Sequence, residues 1–119
     1  QDALRGPAAY DVVSLLEDAR RDLSPALVGT MRERYLAGRD AAEREAFGRW
    51  YAVLGAQRHC KVAGIFVRLC RRDGKCRYLA HIPRVIGLLE RRLQRPELAP
   101  LRDWLDAHLP QRHQPLPRA

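Results

Sequence analysis

The sequence predicts an all-α fold of about six helices, on three observations. Apolar residues recur at three- and four-residue spacing along most of the chain. Residues that start and stop helices fall between those runs. No stretch rich in Val, Ile or Thr alternates as a strand would, apart from Cys76 to Leu79.

Each element has its own signals. Pro7 suits the first turn of a helix, where its missing N–H is not needed. Val12, Val13, Leu15, Leu16 and Ala19 then give one apolar face up to about Arg21. Ser24 before Pro25 is an N-cap signal for a second helix, which carries Leu27, Val28, Met31, Tyr35 and Leu36 and stops at Gly38. Asp40 with Glu43 has the form of a capping box. It opens a third helix through Phe47, Trp50, Tyr51 and Leu54, expected to end near Gly55. A fourth runs from about Gln57 to Arg72 and meets a turn at Asp73-Gly74-Lys75. Pro83 starts a fifth, with Val85, Ile86, Leu88, Leu89 and Leu93. Pro96 and Pro100 punctuate a last one bearing Leu101, Trp104, Leu105 and Leu109. Residues 1–109 thus form one helical unit, and 110–119, rich in Pro, Gln and Arg, read as a flexible tail.

The fourth helix is the most apolar. Val62, Ala63, Ile65, Phe66, Val67, Leu69, Cys60 and Cys70 cover more than half of its circumference. Gln57, Lys61, Gly64, Arg68 and Arg72 leave only a narrow polar stripe. Such a helix is expected at the centre of the domain. Arg58 and His59 fall inside the apolar arc, and buried basic groups need partners. Two readings stay open for them: they face a pocket, or they bond to a neighbouring helix.

Composition narrows the classes. The 119 residues suffice for one hydrophobic core. The start at Gln1 suggests a fragment, a processed chain or an incomplete one. No apolar run reaches the about 18 residues of a membrane span, and no signal peptide is visible, so no membrane partner and a cytoplasmic site are expected. An odd count of cysteines, Cys60, Cys70 and Cys76, argues for reduced thiols, with Cys60 and Cys70 as small core residues. His59 and His81 lie near them, but the spacings match no common zinc site, so no metal is expected.

The net charge of +8 is concentrated. Residues 57–95 hold eleven Lys and Arg against Asp73 and Glu90, a net of +9, so the remainder sums to −1. A basic block attracts anions, nucleic acid among them. A helix-turn-helix signature and interleaved exposed aromatics are lacking, which argues against nucleic acid. A stand-alone basic helical module that binds nucleic acid or an acidic partner is the alternative to the reading that follows.

Two sets of residues carry a family resemblance. Gln1-Asp2-Ala3-Leu4-Arg5-Gly6-Pro7-Ala8-Ala9-Tyr10-Asp11-Val12 resembles the segment after the metal-binding Asp of aminoglycoside phosphotransferases and choline kinases. Residues 57–69, from Gln57-Arg58-His59-Cys60-Lys61 to Leu69, and 72–79, from Arg72-Asp73-Gly74-Lys75 to Leu79, look like one branch: the anomeric N-acetylmuramate/N-acetylglucosamine kinases of bacterial cell-wall recycling. Cys76 stands where that branch is expected to have Pro. The resemblance covers most of residues 1–110.

The resemblance implies the helical C-terminal subdomain of a protein-kinase-like fold. The parent enzyme transfers a phosphoryl group from ATP, with Mg2+, to the C1 hydroxyl of an amino sugar. The nucleotide lobe and catalytic loop are absent here, so no catalytic residue and no cofactor are expected in this chain. Its partner is the missing N-terminal lobe, on the same chain or a separate one. Gln1 and Asp2 lie near the missing metal motif. Asp11 matches the motif's last Asp, which holds the catalytic loop's N–H groups; a helix-dipole role is the simpler alternative. The basic C-terminal half disfavours a polycationic aminoglycoside and suits a neutral or acidic sugar. Arg58, His59 and Lys61 are the candidate substrate contacts.

Overall fold

The computed structural model describes residues 8–114. Five α-helices follow in order: α1 Ala8–Leu16, α2 Pro25–Leu36, α3 Ala41–Asp73, α4 Ile82–Arg92 and α5 Ala99–His108. Short 3-10 segments, Cys76–His81 and Pro96–Leu98, precede α4 and α5. No strand occurs among the described residues; Cys76 to Leu79 turns as a 3-10 helix, with Tyr78 stacked on Phe66 at 5.5 Å.

The sequence signals place most helix starts. Ser24 Oγ accepts from Leu27 N–H at 3.1 Å, with Pro25 opening α2. Asp40 Oδ1 accepts from Glu43 N–H at 2.8 Å and caps α3. Gly74 ends α3 in the left-handed region, φ 68°, and Lys75 N–H reaches back to Leu69 O at 3.0 Å. Pro83 and Pro100 sit in the first turns of α4 and α5.

The structure departs from several expectations. The expected third and fourth helices are one, 33 residues long, so the described residues form five α-helices where about six are expected. Gly55 does not stop α3; it lets neighbours close in. A Cβ there would lie 3.1 Å from Val13 Cγ2 on α1 and 3.3 Å from the Arg92 side chain on α4. Next, α1 ends at Leu16 rather than near Arg21. Asp18 Oδ1 accepts from Arg20 N–H at 2.8 Å, a local turn that replaces the helical pattern, while Glu17 turns inward. Last, the thiols are not all reduced: Cys70 and Cys76 are joined as a disulfide. The reversal at Gly74 brings their Cα atoms to 4.2 Å. Cys60 is exposed rather than a core residue.

α3 is the spine. At about 1.5 Å per residue its length matches the molecule's 50 Å long axis. Ala9, Val13, Leu36, Phe47 and Tyr51 form a core at its first third. Ala52, Ala56, Leu89, Leu93, Leu98 and Leu105 form the middle one. Ala19, Phe66, Ile82 and Val85 close the far end. Helices α1 and α4 lie along α3, but one side of it stays open. Ile65 is 41% exposed, so α3 is not enclosed on all sides as its apolar arc predicts. Residues 110–114 are turns, held by Arg112, which pairs with Glu90 at 2.6 Å and Asp106 at 2.7 Å.

Candidate functional site

Helix geometry separates Arg58, His59 and Lys61. Positions 58 and 61 share a face, while 59 points away. Arg58 and Lys61 meet α1 at Tyr10. The Arg58 guanidinium beside the Tyr10 hydroxyl, with Lys61 nearby, holds that phenol below its ordinary value. Lys61 is exposed and Arg58 half-buried. Next to Tyr10, Asp11 points outward in the first turn of α1, with no hydrogen bond or ion pair among the described residues. Gln1 and Asp2 lie outside the described residues.

His59 turns into the core, 1% exposed, and its Nε2 donates to Glu17 Oε1 at 2.8 Å. Of the two readings left open for it, the geometry fits the bond to a neighbouring element. Glu17 is buried too, and its other oxygen lies 3.6 Å from Arg92 Nε, an ion pair beyond hydrogen-bond reach. Burial pushes the Glu17 carboxyl up, but the His59 hydrogen bond and the Arg92 charge outweigh it and hold the acid below its usual range. Tyr51 is buried beside this pair, and its hydroxyl has no hydrogen-bond partner among the described residues. Burial first, then the Glu17 charge, drives that phenol far above its usual value, so it stays neutral.

These groups stand at the wall of a groove of about 800 Å³ between the α1–α2 connection, α2 and α4. Its charged lining is three acids, Glu17, Asp18 and Asp22, and five arginines, Arg21, Arg32, Arg84, Arg91 and Arg92. Arg84 Nη1 donates to Ala19 O at 3.0 Å, tying α4 to the α1–α2 connection. Glu17, Tyr51 and Arg92 carry no sequence motif, so the pattern did not single them out. The one available signal was Glu17 itself, an acid directly after the apolar pair Leu15-Leu16. Among the described residues no group of three or more His, Cys, Asp or Glu side chains could hold a metal ion. No described helix is long and apolar enough to cross a membrane.

The fold and these side chains define an all-helical unit with an arginine-lined groove and a Tyr10–Arg58–Lys61 cluster at one end of α1. The chain is similar to known kinases. It is 43% identical over 110 residues to the N-acetylmuramate/N-acetylglucosamine kinase of Caulobacter vibrioides, covering 92% of this chain and 30% of that protein. It is 47% identical over 108 residues to the kinase of that name from Neisseria meningitidis, covering 85% and 32%. The Pseudomonas aeruginosa protein of the same name is 44% identical over 118 residues, covering 93% and 35%. The chain thus spans about a third of the length of the curated relatives it matches. No protein-family model and no solved structure matches it.

Proposed function

We propose that this chain is the substrate-side helical part of an ATP-dependent amino-sugar kinase. The similarity to N-acetylmuramate/N-acetylglucosamine kinases along most of the chain carries this reading. ATP supplies the phosphoryl group and Mg2+ offsets its charge. Among the described residues no group of three or more His, Cys, Asp or Glu side chains could hold the cation. Both cofactors belong, in this reading, to the parts of the relatives that the chain does not span, as does the nucleotide lobe. The enzyme would act in the cytoplasm, in cell-wall sugar recycling.

Within this reading the chain's own residues bind and position. Arg58 and Lys61 present positive charge beside Tyr10, in the first turn of α1. An arginine fork suits a sugar carboxylate, and the Tyr10 hydroxyl suits a sugar hydroxyl. His59, bonded to Glu17, keeps α3 in register rather than touching the sugar. Asp11 would hold the catalytic loop's N–H groups from the exposed side of α1.

The test exchanges this chain for the matching third of the Neisseria meningitidis relative. The chimera should phosphorylate N-acetylmuramate and N-acetylglucosamine with ATP and Mg2+, while the 119-residue chain alone should not. Arg58→Ala in the chimera should lower kcat/KM for N-acetylmuramate by about tenfold relative to N-acetylglucosamine, the cost of one charge-assisted bond. A folded chimera without turnover would remove the kinase reading. An unchanged ratio would remove Arg58 from the sugar site alone.

A further inference from the structure

The groove between α2 and α4 holds more positive charge than its own acids neutralise. Arg32 on α2 and Arg92 on α4 both lie over the same buried ring: their guanidinium carbons are 4.2 Å and 5.0 Å from the Tyr51 centroid, hence no more than 9.2 Å from each other. The carboxylate paired at this point is Glu17, and its Oε1 is already taken by His59 at 2.8 Å. Its Oε2 stays 3.6 Å from Arg92, whose buried Nε has no hydrogen-bond partner among the described residues. Neither Arg32 nor Arg91 carries an ion pair among the described residues, and both line the groove. Arg32 meets the Tyr51 and Phe47 ring faces and no carboxylate, and Arg92 shares Glu17 with His59, which leaves a net positive charge beside a low-dielectric wall.

The remaining groove charges do not cancel it. Asp18 faces its own neighbours, accepting from Arg20 N–H and pairing with Arg21 at 3.6 Å. Asp22 is exposed at the rim, and Arg84 adds a further cation. Leu16, Leu23, Val28, Pro83 and Leu88 supply apolar walls beside the arginines. The space, about 800 Å³, is that of a small-molecule site.

We propose that this groove binds a small-molecule oxyanion, a carboxylate or a phosphate, bridged between Arg32 and Arg92 with Arg91 at the mouth. Charge-assisted bonds of about 2.8 Å to each guanidinium let one tetrahedral or planar oxyanion span a gap of this order. The ligand's body rests on the apolar walls. The site is separate from the Tyr10–Arg58–Lys61 cluster and does not depend on the kinase reading.

The test follows the arginine Nε–Hε signals of the chain by NMR. Inorganic phosphate and acetate are titrated separately, at ionic strength held constant with chloride. Saturable shifts confined to Arg32, Arg91 and Arg92 support the site; the stronger anion tells whether it favours phosphoesters or organic acids. Arg32→Gln and Arg91→Gln should each weaken binding, the first by about tenfold, as loss of one charged bond implies. Arg68→Gln, on the open side of α3, should leave it unchanged. Should Arg32→Gln loosen the packing around Tyr51, the exposed Arg91 variant still decides. The proposal is overturned by shifts spread evenly over all arginines, by equal weakening in the Arg68 variant, or by no saturation with either anion.

Discussion

At Glu17 burial and charge oppose each other, and the balance sets a pH dependence. The carboxylate is held ionised in the fold by His59 and Arg92 against the cost of burial. An acid with a depressed folded pKa adds stability that is complete above its unfolded value, about 4.3. That stability is lost as pH falls through the folded value. Glu17→Gln should therefore cost about 3 kcal/mol near neutral pH, because it leaves the Arg92 charge at a dry wall without its partner. It should also flatten the acid limb. Urea melts of both proteins at pH 7 and pH 3 read the difference; an equal gap at the two pH values would mean that Glu17 acts by shape alone. His59 was legible as a basic residue on an apolar arc. Its partner was not, because Glu17 lies 42 positions away and only the early end of α1 turns it inward.

Glycine has two uses on α3. Gly64 faces open space, with nothing within 4 Å of the point where a methyl would sit, so Gly64→Ala should gain about 0.5–1 kcal/mol of helix propensity. Gly55→Ala gains the same propensity but presses a methyl against Val13, which is fully buried and stiff at χ1. Overpacking of that kind costs about 1–3 kcal/mol, so the net change should be a loss. Thermal melts giving opposite signs for the two variants would confirm that Gly55 is a crossing point. Matching gains would mean that Val13 and Arg92 give way freely. Local chemistry made the caps readable: Ser24, Asp40 and Gly74 act within one turn of themselves. Gly55 looks like a stop in the sequence because its function depends on α1 and α4, which no local pattern reports. The Cys70–Cys76 bond escaped for a similar reason, since it needs the reversal at Gly74 to bring the two residues together.

For the whole molecule the open surface matters most. On α1, Ala8, Asp11 and Leu15 share an outward face, and Leu15 is 64% exposed. Asp11 stands on that uncovered face with no partner among the described residues, which leaves it available for the proposed role as a support for a catalytic loop supplied by the rest of a kinase. The distinction from a helix-dipole role is energetic. A first-turn Asp that only favours the dipole contributes about 0.3–1 kcal/mol, equally in the chain and in the chimera. A loop-holding Asp has its partners outside this chain, so Asp11→Asn should change the melting of the chain by little, within about 0.5 kcal/mol. In the chimera with the Neisseria meningitidis relative the same change should lower kcat by about tenfold or more, as loss of a charge-assisted bond implies, and should also lower the melting temperature. Both measurements use the same substitution, so a folding defect common to the two proteins is visible at once. Equal, small effects in both would assign Asp11 to the dipole. A large loss in the chain alone would show that its partner lies within these 119 residues.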